Sequence, residues 1–365
     1  MQVNEIIMYI MAVGVLLGGI DLIFGNRFGY GDRFQEAFRL MGSIGLSMAG
    51  IICLAPLLSQ LLSACVTTLC NLINIDPGVF GSILAIDMGG YQLSMDLATN
   101  PVIGKFSGIV VSAIFGCTVV FTFPVGLGIM EEQDRIWFTH GILLGFITMP
   151  AAFLVGGTLS GMTIGEIIRN FCPIMILSAL LVFGLFKFRS RMIRFFQYLA
   201  KGIHILATVG LMLGAVRYMT GIEILRQLTP LDEAIQVVGA ISVVMLGSLP
   251  LAEVLNRTLR KPFGWIGERT GMNAASMTGI LIGVVSVVPA LVMIPQMDRR
   301  GKIVNGAFLV CAASTFAAHL GFTAGVQPDM VAALLASKLV GGVLAILIAL
   351  IFTSRQEMHD SNLPL

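Results

Sequence analysis

Asp87, Asp96, His319 and Lys338 are the ionisable side chains whose positions in apolar stretches of this sequence could do chemistry. A charge in hydrocarbon is costly, and where one persists it faces a cavity, a partner or a ligand. Asp87 offers the most chemistry. It stands in IDMGGYQLSMD, Ile86 to Asp96, beside the consecutive glycines Gly89 and Gly90. A carboxylate at a backbone interruption, between two short apolar arms, is the pattern of a discontinuous helix that holds a charged solute near the membrane midplane. Such a group captures a cation through charge-assisted hydrogen bonds to an ammonium. Tyr91 is close enough to add an aromatic face. The competing reading is a structural ion pair, for which Lys338, in the middle of LASKLVGG, is an available partner. Asp96, toward the end of its arm, reads as a solvated carboxylate.

A second interrupted stretch reads GVVSVVPALVMIP, Gly283 to Pro295. Ser286 is its polar group and Pro289 its expected break, since a proline leaves carbonyls of the preceding turn without a partner and free to face a ligand. Back-bonding of Ser286 to its own helix is the alternative. His319, in AAHLGFTAG, is a candidate for taking protons or lining a path, against a histidine satisfied by a neighbouring helix. Phe115, Phe121 and Phe123 are further aromatic candidates, but read first as core. There is no nucleophile elbow, HExxH, Walker loop or strand-borne GxGxxG. The six cysteines show no CxxC spacing and lie in or beside apolar segments. No catalytic residue, metal or cofactor is therefore expected, nor is binding to nucleic acid.

The elements that must position these groups follow from composition. Of 365 residues 56% are hydrophobic and 12% charged, against roughly 25% charged in soluble domains. The expected fold is all-α and polytopic. Nine full spans are predicted at about 4–24, 40–63, 104–128, 136–159, 164–187, 202–221, 234–256, 302–322 and 330–353, with broken segments at about 77–98 and 272–297.

The two halves resemble each other. EAFRLMGSI from Glu36 aligns with EAIQVVGAI from Glu233, Gly50 with Gly247, and, in a slightly shifted register, Asp87 with Ser286. If both broken segments are re-entrant hairpins, 17 of the 22 Lys and Arg residues fall on one side, four on the other, and Lys338 lies within the membrane. Basic residues mark the cytoplasmic side, so this arrangement predicts an outside N-terminus and a cytoplasmic C-terminus. Full crossings would split the basic run 187–201 from the basic group at 27–39. The expected organisation is a single transmembrane domain: repeat 1 at 1–160, a linking span with a basic segment at 161–201, an inverted repeat 2 at 202–355, and a tail at 356–365. The segment 187–201 reads either as a charge-biased loop or as an interfacial helix on anionic lipid.

Six stretches carry a resemblance to a known family: NEIIMYIM (from Asn4), LAIDMGG (from Leu84), FPVGLGIME (from Phe123), QMDRRGKIVNGAF (from Gln296), HLGFTAG (from His319) and SKLVGG (from Ser337). In this order, nearly end to end, they resemble the EutH family of ethanolamine transporters. The chain departs from the family pattern where Ser286 and Val287 replace a pair of asparagines and where Ala318 replaces an aspartate before the histidine. The resemblance implies a bacterial inner-membrane permease supplying ethanolamine utilisation, not an enzyme. A homo-oligomer among membrane lipids is expected. On that reading Asp87 takes the ammonium, while Ser286 and backbone groups freed at Gly89, Gly90 and Pro289 take the hydroxyl. His319 and Lys338 remain candidates for proton or ion-pair roles. Alternatives are a transporter of another small organic amine or cation, or a membrane-embedded enzyme acting on amino-alcohol head groups.

Overall fold

A computed structural model describes residues 3–84 and 87–360, with the side chains of Asp87 and a few other helical residues outside the description. The described residues form helices and no strands. Among the described residues, nine helical stretches are long and apolar enough to cross a membrane. The chain is an all-α, multi-pass membrane protein.

Helix α1 covers Val3–Ile23 and α2 Tyr30–Ile73. A short pair follows, α3 (Val79–Leu84) and α4 (Gly90–Leu97), separated around a 3₁₀ turn at Asp87–Gly89. The next span is composite: α5 (Pro101–Phe106), two π-helical segments (Ser107–Gly116 and Thr118–Thr122), then α6 (Phe123–Ile129). Helices α7 (Glu132–Leu159), α8 (Ile164–Lys187), α9 (Arg189–Thr220) and α10 (Leu231–Thr270) are long. A second short pair, α11 (Ala274–Val285) and α12 (Val287–Met293), precedes another composite span. That span is α13 (Arg299–Ala312), a π-helical segment (Thr315–His319) and α14 (Leu320–Val326). Helix α15 (Val331–Asp360) is last.

Helices α2 and α10 overrun the spans expected at about 40–63 and 234–256. At 1.5 Å per residue they are roughly 60–65 Å long, twice the hydrocarbon thickness. The overrun at the start of α2 and at the end of α10 is polar helix that still finds partners. Arg33 of α2 bonds both Glu36 (2.7 Å) and Glu253 of α10 (3.3 Å), and Arg257 returns to Glu253 at 2.8 Å. The basic run 187–201 likewise enters α9 at Arg189 and continues into the span expected at about 202–221.

Small residues set the helix crossings. A Cβ added at Gly50 of α2 would collide with the Ala207 carbonyl of α9, and one at Gly210 with the Gly50 carbonyl. The same happens where α10 meets α1: Gly247 abuts the Met11 carbonyl and Gly14 abuts the Gly247 carbonyl. Backbones this close leave no room for a side chain and gain dispersion contact along both helices.

Each short pair is a closed hairpin. Gly78 and Gly81 of the first pack on Ala98 and Ser94, so the arms run antiparallel. Asp76 ties the base, accepting the amides of Gly78 (2.8 Å), Thr99 (3.3 Å) and Asn100 (2.7 Å). In the second hairpin Asp298 does this from the returning end. It accepts the Asn273 amide (2.9 Å) and the Ser276 hydroxyl (2.6 Å), and caps α13 through the Gly301 amide (3.0 Å). The bases lie toward opposite ends of α15. Lys105, just past the first base, pairs with Asp329 before α15 at 2.9 Å. Arg300, just past the second, reaches Ser354 near the far end of α15 at 3.4 Å.

Candidate functional site

The second hairpin bends because α11 stops at Val285. Ser286 adopts an extended conformation (φ −148°, ψ 127°), its amide donates to the Ile282 carbonyl at 2.8 Å, and α12 starts afresh at Val287. The break is therefore at Ser286, not at Pro289. Pro289 is the third residue of α12, within the first turn, where an N–H has no intrahelical acceptor and its loss costs little.

The amide of Val287 is instead taken by Ser314 Oγ at 3.3 Å, and the Ser314 amide donates to the Gly283 carbonyl at 2.9 Å. Ser314 sits at the interruption between α13 and its π-helical continuation, with φ +53°. A non-glycine residue in this left-handed region is uncommon. The strain is held by bonds on both sides, so hairpin tip and span break form one unit. His319, buried, is aimed by the same break: its Nδ1 lies 3.0 Å from the Ala313 carbonyl. A carbonyl only accepts, so Nδ1 carries the proton.

The first hairpin tip packs on α2 and on the π-helical segment Ser107–Gly116. Gly89 is close to Ile51, and Gly108 to the backbone of Tyr91. Lys338, fully buried in α15, donates from Nζ to the Ala113 carbonyl of that π-helical segment at 3.0 Å. The turn holding Asp87 and the ammonium of Lys338 thus share one packing partner. The Asp87 side chain lies outside the described residues.

Both tips face one cavity of about 770 Å³. Met88 and Gly89 line it from the first hairpin, and Ser286, Val287, Val288 and Pro289 from the second. Ser314, Ala318 and His319 complete the wall on one side, Cys117 and Phe121 on another, and the space extends to Arg33, Glu36 and Glu253. A second cavity of about 330 Å³ shares Met88 and Gly89 and is lined beyond them by Tyr91, Gln92 and Phe322.

Sequence reasoning therefore chose residues that separate into groups. Gly89, Ser286, Pro289 and His319 meet at the large cavity. Tyr91 belongs to the smaller one, where its hydroxyl donates to Gln327 Oε1 at 2.8 Å. Gly90 is buried at the start of α4 and Lys338 is buried against the π-helical segment; neither lines either of these two cavities. Asp96 is exposed and accepts from Gln92 at 2.8 Å. Of the three phenylalanines, Phe121 reaches the large cavity, while Phe115 and Phe123 are core. Reasoning from sequence missed Ser314, Asp76 and Asp298. An Asp-Pro-Gly turn and an aspartate at a helix start were readable signals for the last two; a serine in an apolar run was none. No cluster of metal-ligating side chains occurs among the described residues.

The profile of the family described as "Ethanolamine utilisation protein, EutH" matches residues 3–352. This chain belongs to the EutH family. A Listeria monocytogenes relative named "Probable ethanolamine permease EutH" is 40% identical over 356 residues, covering 97% of this chain and 95% of its own length. A similarly named Escherichia coli protein is 35% identical, covering 98% of this chain and 97% of its own length. A Bacillus subtilis relative, "Uncharacterized protein YxeR", is 37% identical, covering 99% and 98%. No solved structure matches. In this EutH chain Ser286, Val287 and Ala318 all line the large cavity.

Proposed function

We propose that this chain is a permease for ethanolamine in a bacterial inner membrane, and that the solute binds where the two hairpin tips face each other across the large cavity. The observation that carries the reading is this shared cavity: two backbone interruptions, from different thirds of the chain, meet at one space. In a bilayer, broken backbone is tolerated where protein or water covers it. The names of the curated relatives supply the substrate class.

On this reading Asp87 takes the ammonium and Ser286 the hydroxyl, with exposed backbone at Gly89 helping. Lys338 keeps Asp87 from being a lone buried charge when no cation is bound. The imidazole of His319, held by the Ala313 carbonyl at Nδ1, is the candidate proton acceptor beside the site. A cavity of about 770 Å³ holds on the order of 25 waters at 30 Å³ each. The cation thus approaches hydrated and sheds its shell only at the tips. Both hairpins are re-entrant, from opposite faces, and the two halves form an inverted repeat. Support comes from the opposed hairpin bases, from the composite span that follows each hairpin, and from the matched glycine crossings at Gly50 and Gly247. With the basic ends of α10 and α13 cytoplasmic, the large cavity is inward-facing.

The test is competition. Uptake of labelled ethanolamine into proteoliposomes at acidic pH should be inhibited by small primary amino alcohols and not by ethylene glycol, which lacks the charge. Equal inhibition by the diol would remove ammonium recognition. Saturable uptake of other small amines with indifference to ethanolamine would favour the alternative substrate, to which Ser286, Val287 and Ala318 lend weight.

A further inference from the structure

The smaller cavity is a different chemical environment from the large one. Tyr91 and Phe322 stand edge to face in its wall, ring centroids 5.9 Å apart and planes at 80°. Gln92 lines it too, and its amide nitrogen is committed to Asp96 at 2.8 Å, which leaves the amide oxygen as an acceptor. Asp96 accepts from the lining residue Gln92, and Gln327, which accepts from the Tyr91 hydroxyl, donates in turn to Asp329. Aromatic rings and a carbonyl acceptor, with carboxylates one hydrogen bond behind the lining, form a complementary set for a small cation. About 330 Å³ holds on the order of ten waters, so an ethanolamine-sized ion fits with part of its hydration shell.

The position of this cavity gives it meaning. Met88 and Gly89 line both cavities, so the turn Asp87–Gly89 is the partition between them. We propose that the smaller cavity is a second ammonium station, on the opposite side of the first hairpin tip from the main site, where Tyr91, Phe322 and Gln92 hold the cation before or after it passes Met88 and Gly89. This rests on the reading of the chain as a carrier of a small ammonium. Among the described residues no acid lines the station, so it binds more weakly than the main site and its recognition comes from aromatic faces.

Binding of labelled ethanolamine to the purified full-length protein, at a pH where the amine is cationic, tests this. The wild type should show two sites of unequal affinity. Tyr91→Leu and, separately, Phe322→Leu should weaken the weaker site about tenfold, the range of a desolvated cation–π contact, and leave the tighter one. Tyr91→Phe should keep both sites, because it retains the ring and loses only the bond to Gln327. Asp87→Asn should weaken the tight site at least tenfold and spare the weak one. A single site in the wild type, weakened in Asp87→Asn and indifferent to Tyr91→Leu, overturns the second station and leaves the permease reading standing. Loss of the weaker site in Tyr91→Phe as well would assign Tyr91 to the hydrogen bond and overturn the aromatic station. No binding at all overturns both.

Discussion

Lys338 Nζ donates to the Ala113 carbonyl at 3.0 Å, with Lys338 fully buried. A lysine rarely accepts such burial for a neutral acceptor alone, and Ala113 belongs to the segment on which the Asp87 turn packs.

If Lys338 balances Asp87, its removal strands a buried carboxylate, a loss of about 3–5 kcal/mol in comparable buried pairs. Lys338→Met should lower the unfolding midpoint in detergent, and adding Asp87→Asn should restore part of it. Strictly additive losses in the double variant would separate the two residues.

The glycine crossings make a purely steric prediction. Gly50→Ala and Gly247→Ala each place a methyl on a neighbouring backbone carbonyl, of Ala207 and Met11 respectively. Neither carbonyl can swing aside as a side chain would, so the helices must part. Each variant should lose about 1–3 kcal/mol, read as a lower midpoint. Gly42→Ala, in the same helix α2 with open space around it, should be neutral or slightly stabilising, since alanine is the better helix former; a comparable loss there would show that the crossing does not govern the result.

The base of the second hairpin predicts acid sensitivity. Burial pushes the Asp298 carboxyl up, but hydrogen bonds from Ser276 and from the Asn273 and Gly301 amides outweigh it and hold the group below its ordinary value. A lowered native value means the stabilisation is fully present above the unfolded carboxylate range, near 4, and is lost as pH falls through the native value. Asp298→Asn keeps one acceptor oxygen and should cost about 1–3 kcal/mol at neutral pH. Its midpoint should then fall less steeply than that of wild type between pH 5 and pH 3. Parallel acid profiles would show that Asp298 does not carry the effect.

Much of this architecture was legible in the sequence because the membrane makes certain residues conspicuous. An acid beside Gly89 and Gly90, or Ser286 in a run of valines, has no place in an uninterrupted span, and both stretches are hairpin tips. What was illegible depends on partners distant in the chain. Ser314 looks like any small residue until the Gly283 carbonyl and the Val287 amide reach it. The π-helical segments have no compositional mark; SGIVVSAIFG would serve equally in an α-helix. Pro289 misled because a proline signals a break but does not say on which side of it the backbone yields. Tyr91 lines the smaller cavity and not the large one because neighbours in sequence at a tight turn can face opposite sides of the wall they build.

The re-entrant reading fixes sidedness. Single-cysteine labels at Asn74 and Lys105 flank the first hairpin and should both react from outside. Labels at Gly271 and Arg300 flank the second and should both react from the cytoplasm. A pair that divides between the two faces would convert that hairpin into a crossing.

The central claim is that Asp87 holds the ammonium between the hairpin tips. A cation leaving water for a low-dielectric site needs a fixed negative group to offset its desolvation. The most direct measurement is saturable uptake of labelled ethanolamine by Asp87→Asn in proteoliposomes, at matched protein, under acidic conditions where free base does not cross the bilayer unaided. At least tenfold weaker apparent affinity, about 1.4 kcal/mol, is the expected result, with Asp96→Asn nearly unchanged. Wild-type uptake by Asp87→Asn under those conditions would contradict the account.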